Sequence, residues 1–222
     1  MIAALLVASA AAGVKSASAA WIKLAVWEMN EPPGATIMHD SSGNHRSGLI
    51  GALVTTGVVD GSYTGYQFQS GPKDENRLVI ADRPALNPKR HVFSIFLRFK
   101  TSAMDENIIQ KGQANTNGGS WKIEVDNEGH LVCTYRGAAG RGAIRSRGSV
   151  ADGQWHKATC TRRPDKVVIQ VGNNFPRSEP GPTGNIENAA KVSIGGKFAC
   201  DAPAVSCQYF DGLVDRVAIR RQ

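Results

Sequence analysis

The chain has 222 residues, 41% of them hydrophobic and 20% charged, with 24 glycines, 10 prolines and a formal charge of +7. That composition is globular and excludes a disordered or collagen-like chain, while the length suits one sizeable β domain. The moderate basic balance serves solubility, or an anionic partner such as an acidic polysaccharide or cell-surface polymer; nothing in it points to nucleic acid.

Residues 1–20, MIAALLVASAAAGVKSASAA, are almost wholly Ala, Leu, Val, Ile and Ser and end in small residues. The pattern predicts a secretory signal peptide cleaved near Ala19 or Ala20, although no Lys or Arg precedes the apolar run. The run is short for a span of about 20 residues, so no stable membrane insertion is expected. The mature domain is then 21–222, secreted, and without Lys15 its charge is +6 by the same count.

From residue 21 the chain reads as short strands punctuated by turns. Residues 21–28 form a first strand, broken by Asn30-Glu31-Pro32-Pro33-Gly34. Residues 36–38 are extended, 39–44 form a polar turn, 48–55 a strand, 59–65 a turn, 66–68 and 77–81 short strands, and 84–88 a loop. Residues 91–100, HVFSIFLRFK, alternate clearly, with Phe93, Ile95, Leu97 and Phe99 on one wholly apolar face. This predicts a central strand of a packed sheet. A strand at 106–111 and a turn at 115–119 follow. A hairpin then joins 121–126 to 130–136 around Asp126-Asn127-Glu128-Gly129. Residues 137–148 read as a loop with a strand at 143–147. Asp152-Gly153 turns the chain into an extended run from Gln154. Along it Trp155, Lys157, Thr159 and Thr161 alternate with His156, Ala158, Cys160 and Arg162. Further strands fall at 166–171, 191–194 and 212–220, and 173–184 reads as a long loop. Trp121 and Trp155 are expected in the core. About a dozen strands without crossover helices predict an all-β fold, a two-sheet antiparallel sandwich of jelly-roll type.

The four cysteines allow three pairings, and proximity favours Cys133–Cys160 and Cys200–Cys207. The first would close a loop of roughly 27 residues and contribute about 3–4 kcal/mol. The spacings do not suit zinc.

Five pieces of the chain resemble a known family: DSSGN at 40–44; HVFSIFLRFKT at 91–101; QKG at 110–112 with WKI at 121–123; VADGQWH at 150–156; and YFDGLVDRV at 209–217. Together they are similar to the laminin-G-like branch of the concanavalin A-like lectin/glucanase superfamily, over essentially all of 21–222. The resemblance implies a jelly roll with one concave face, an extracellular setting, binding of a glycan or protein ligand, and in several members one structural calcium ion.

Candidate chemistry is sparse. Asp40, Ser41 and Asn44 offer hard oxygens on a tight loop, with Asp60 and Asp215 as carboxylates from elsewhere, so a Ca2+ site is one reading. An Asx-turn capped by Asp40 is the other. Glu124-Val125-Asp126-Asn127-Glu128 has the E-x-D-x-E spacing of retaining glucanases, whose carboxylates share one strand face. An Asp-Asn-Glu-Gly run is turn material instead, which leaves Glu124 and Glu128 as a subordinate glycoside hydrolase reading. No G-x-S-x-G, P-loop or H-E-x-x-H motif is present. Arg136, Arg141, Arg145 and Arg147 are the candidate ligand-binding cations, converging into a basic strip if their strands pair. The expected function is non-catalytic binding of carbohydrate or another cell-surface ligand, with an adhesion module for a protein partner as the rival.

Overall fold

The computed structural model describes residues 19–70, 77–198 and 207–222. The expected leader at 1–20 lies outside the described residues apart from its last two positions, and Cys200 lies outside them too.

Among the described residues sixteen strands form two eight-stranded antiparallel sheets. The first sheet runs β14 (Arg177–Pro180), β13 (Lys166–Val171), β12 (Trp155–Arg162), β7 (Phe93–Lys100), β16 (Gly212–Arg221), β5 (Tyr63–Phe68) and β4 (Thr55–Asp60); β1 (Ile22–Trp27) pairs with the far end of β16. The second runs β11 (Gly140–Ser149), β10 (His130–Gly137), β9 (Ser120–Val125), β8 (Glu106–Lys111), β15 (Val192–Ile194), β6 (Leu78–Ile80), β3 (Gly48–Ile50) and β2 (Ile37–Met38). The predicted architecture is therefore the observed one. Among the described residues no helix is long and apolar enough to cross a membrane.

Strand β7 occupies the centre because its apolar side chains recur with period two. Phe93, Ile95, Leu97 and Phe99 are all fully buried, and each such side chain contributes about 1.5–3 kcal/mol. They face Trp121, Ile123, Leu131 and Tyr135 in one shared core, with the rings of Phe93 and Trp121 5.8 Å apart. Cys133 of β10 and Cys160 of β12 join the two sheets, their Cα atoms 5.9 Å apart. Cys207 is also disulfide-bonded, but its expected pairing with Cys200 falls outside the described residues.

Several expectations need correction. Residues 59–65 hold the turn of a β4–β5 hairpin only at 61–62 and are otherwise strand, and 48–55 is split between two strands. The loop expected at 137–148 is largely strand β11, and 173–184 contains β14. Trp121 is buried as expected, but Trp155 is not a core residue. It stands on the outer face of its sheet, its ring 5.0 Å from Tyr63 and its Nε1 donating to Asp60 at 3.2 Å. The cause is phase: Cys160 points inward to its disulfide, so odd-numbered residues of β12 point out.

Two buried cations tie down the segment that crosses between the sheets after β14. The Arg162 guanidinium donates to Thr183 Oγ1 (2.9 Å) and to the carbonyls of His91 (2.7 Å) and Gly184 (2.6 Å). Lys111, fully buried, meets Asp82 (2.6 Å) and the carbonyls of Asn188 (3.0 Å) and Ala190 (2.5 Å). The other end of β8 is held by a buried carboxyl. Glu106 accepts from the Asp211 amide at 2.8 Å and from the Thr101 hydroxyl at 3.1 Å. Burial outweighs both hydrogen bonds and pushes this carboxyl up to about 7.

A raised carboxyl binds its proton more tightly in the folded than in the unfolded chain, so its stabilising effect is complete below about pH 4.5 and is lost as pH rises through 7. Denaturant unfolding should therefore show a loss of roughly 3 kcal/mol between pH 4.5 and pH 8.5 from this group. Glu106→Gln should flatten that slope; an unchanged slope would contradict the assignment.

Candidate binding face on the second sheet

With alternate residues of each strand committed to the core, the others form an outer face. On β9 the core takes Trp121, Ile123 and Val125, leaving Ser120, Lys122 and Glu124 outside. On β10 it takes Leu131, Cys133 and Tyr135, leaving Val132, Thr134 and Arg136. Register then sets two polar rows. One runs Ser193–Gln110–Lys122–Thr134 across four strands. The next runs Ser120–Arg136–Arg141.

Loop 112–119 forms one rim of this face. Arg136 Nη2 donates to the carbonyls of Gln113 (3.2 Å) and Thr116 (2.9 Å), pinning the loop to β10. Gly119 is required at the loop's return: its φ is +97°, and a Cβ there would collide with the Arg136 carbonyl oxygen. Between rim and sheet lies a hollow of about 220 Å³, lined among others by Gln110, Lys122, Thr134, Arg136, Arg141 and Lys197.

The chemistry of the hollow is donor-rich. Gln110 is only 2% exposed; its Oε1 accepts from Asn107 Nδ2 at 2.6 Å, while its Nε2 has no partner. A buried amide N–H without an acceptor costs about 1–3 kcal/mol, which a ligand oxygen would recover. Arg136 Nε is likewise without an acceptor. Arg141 is exposed and reaches Thr134 Oγ1 at 3.4 Å. Lys122 is paired with Glu124, the carboxylate of this face. Amide, guanidinium, ammonium and hydroxyl groups so arranged suit ligands rich in hydroxyl and acidic oxygens.

The four predicted arginines do not form one strip. Arg136 and Arg141 converge on the hollow as direct cross-strand partners. Arg145 is held by Asp126 (2.9 Å) and Glu128 (3.0 Å) from the neighbouring hairpin. Arg147 lies further along β11, beside a different hollow. The E-x-D-x-E run is divided as turn chemistry predicts. Glu124 is on β9, whereas Asp126 Oδ1 caps the amides of Glu128 and His130 within the turn. Gln110, Lys122 and Thr134 are not among the site residues expected from sequence, although the first two lie in the QKG and WKI pieces. Lys122 and Thr134 were accessible as the polar phase of alternating strands. Gln110 was not, because a bulge between Asn107 and Ile109 breaks the period of β8.

The residues considered for calcium all have partners within the protein. Both oxygens of Asp40 are used by backbone: Oδ1 by the amides of Val26 (3.0 Å) and Ser42 (2.9 Å), Oδ2 by that of Arg46 (2.9 Å). Burial alone would raise this carboxyl, but the amides hold it below its ordinary range. Ser41 Oγ donates to the Val26 carbonyl at 3.1 Å, and Asn44 Nδ2 to that of Lys23 at 3.1 Å. Asp60 is engaged by Lys100 at 2.5 Å, and Asp215 is paired with Arg98. Among the described residues no group of three or more His, Cys, Asp or Glu is placed to hold a metal.

Residues 95–222 match the family model described as Laminin G domain. Pikachurin of Rattus norvegicus is 30% identical over 122 residues, which is 54% of this chain but only 12% of the relative's length. Among solved structures, mouse laminin α1 domains LG4-5 superpose with a TM-score of 0.57 at 16% identity, over 74% of this chain and 46% of that one. Domain 4 of AbnA, an extracellular arabinanase of Geobacillus stearothermophilus, gives 0.64 at 13% identity, over 90% and 93%. At these identities the structures speak to the fold alone.

The two arginines of the hollow should separate on substitution. Arg136→Ala orphans two loop carbonyls and should destabilise the fold by about 1–3 kcal/mol. Arg141→Ala, at an exposed site, should stay within about 0.5 kcal/mol of the parent. Thermal unfolding of both variants checks this; equal losses would contradict the anchoring role of Arg136.

Proposed function

The chain belongs to the laminin G domain family, and from that premise we propose that it is a non-catalytic extracellular binding module for an acidic, hydroxyl-rich carbohydrate on the outer face of β8–β11. The observation that carries this reading is the hollow around Gln110, Lys122, Arg136 and Arg141, with its unpartnered buried amide and its excess of cations. Acidic oxygens would take the guanidinium forks, and neutral hydroxyls the Gln110 amide and Thr134 hydroxyl. Domain 4 of AbnA, which shares the fold, is described in complex with arabinotriose, which supports carbohydrate as the ligand class. Secretion is supported by the Cys133–Cys160 disulfide, a bond that persists in oxidising compartments. The carboxylates Glu124 and Glu128 supply no catalytic pair in this reading, since Glu124 is paired with Lys122 on β9 and Glu128, in the hairpin turn, with Arg145.

A glycan array read at low and high ionic strength tests the proposal. Binding should concentrate on acidic glycans and weaken as salt rises from about 0.05 to 0.5 M, as the Debye length contracts. Arg141→Ala should weaken binding about tenfold, the equivalent of one charge-assisted hydrogen bond. Failure to bind any glycan would replace this reading with a protein partner. Release of sugar, lost in the Glu124→Gln/Glu128→Gln double variant, would replace it with hydrolysis.

A further inference from the structure

The hollow beside Arg147 is separate from the face described above. It lies at the side of the sandwich, between the end of β11 and the β13–β14 turn, and has a volume of about 190 Å³. Its apolar lining comes from Val150, Ile169 and Val171. At its mouth stands Phe175, which is 87% exposed, the highest value among the exposed large hydrophobic residues. A ring this exposed leaves its face open for stacking by a ligand.

The surroundings of that ring are built. The turn that carries it is fixed at its base, where the Gly172 amide donates to the Lys157 carbonyl at 2.7 Å. On its far side Arg177 Nη1 donates to the Arg145 carbonyl at 3.0 Å, joining the two sheets' edge strands. Arg147 is exposed and makes no side-chain hydrogen bond or ion pair among the described residues. Asn174, next to Phe175 on the turn, likewise leaves its side-chain amide unused. A ring face, a free guanidinium fork and a free amide thus border one small hollow.

We propose that this hollow is a second ligand site, which takes a single carboxylate-bearing sugar residue. Phe175 stacks against the C–H face of the sugar ring, Arg147 holds the carboxylate in bidentate fashion, and the Asn174 amide meets a ring hydroxyl. The alternative for an exposed aromatic on a hairpin is membrane contact, which needs a broad apolar face. Here the flanking turn residues are Asn173, Asn174 and Pro176, and the ring stands alone. The site does not depend on the proposed carbohydrate face, and its failure is separately visible.

The test is titration of 15N-labelled protein with methyl galacturonide, with methyl galactoside as the neutral control. The uronide should shift the amide signals of 147–149 and 172–175 saturably, and the galactoside should bind about tenfold more weakly, the equivalent of one ion-paired hydrogen bond. Phe175→Ala and Arg147→Ala, both at exposed positions, should each weaken uronide binding about tenfold. Arg141→Ala should leave it unchanged, which separates this site from the first. Absence of saturable shifts, equal affinity for the galactoside, or indifference to Phe175→Ala would each overturn the proposal. So would co-sedimentation with phosphatidylserine vesicles that Phe175→Ala abolishes, because the ring would then be a membrane contact.

Discussion

The rest of the structure depends on the burial of one side of every central strand. Along β7 this is visible in four consecutive odd positions, Phe93 to Phe99, all withdrawn from water. A β-strand exposes its side chains alternately, so fixing one phase in the core fixes the other phase on the surface. Lys122 sits between buried Trp121 and Ile123, and Thr134 between buried Cys133 and Tyr135. The polar rows of the candidate face are thus held by the core packing of their immediate neighbours. A change of register by one residue would bury Lys122 and expose Trp121 together, which fixes the phase of the polar rows.

The two sheets would slide past each other on apolar packing alone, since dispersion and hydrophobic forces carry little directionality. Directional bonds remove that freedom. The Cys133–Cys160 disulfide and the hydrogen bond from the Tyr135 hydroxyl to the Cys160 carbonyl at 3.2 Å lock β10 to β12. Arg162 and Lys111 do the same for the crossing segment, and each satisfies its buried charge largely with backbone carbonyls. Burying a cation is tolerable only when its N–H groups are matched in this way.

How much could be read from sequence follows from the same rule. The two-sheet architecture, the β9–β10 hairpin and the disulfide were legible because period-two patterning, turn residues and cysteine proximity are all local. Thr55–Asp60 was not, since Gly57 and Asp60-Gly61 resemble a turn more than a strand. The prolines around β14 hid an edge strand, where a missing N–H costs nothing if it faces solvent. Trp155 departs from expectation although the alternation of β12 holds. Once Cys160 is bonded inward, residue 155 must lie outside, because strand phase outranks aromatic character. Gln110 and its unpartnered amide were beyond sequence reasoning, because the bulge in β8 and the Asn107 contact arise only on pairing.

The division of the arginines shows why charge clusters in sequence predict sites poorly. Arg141, Arg145 and Arg147 share one phase of β11 and would all face outward. What separates them is the neighbouring hairpin, whose turn places Asp126 and Glu128 against Arg145 alone. An exposed ion pair of this kind adds little stability, about 0–1 kcal/mol. Its larger effect is on the surface potential, because two carboxylates outweigh the middle cation and leave two basic regions rather than one stripe. From Arg141 to Arg147 the strand rises about 20 Å at 3.4 Å per residue, more than a Debye length at physiological salt. Charges that far apart on a solvated surface act independently. The two hollows are therefore electrostatically separate, and a ligand engaging both would have to be long enough to bridge the acidic stretch between them.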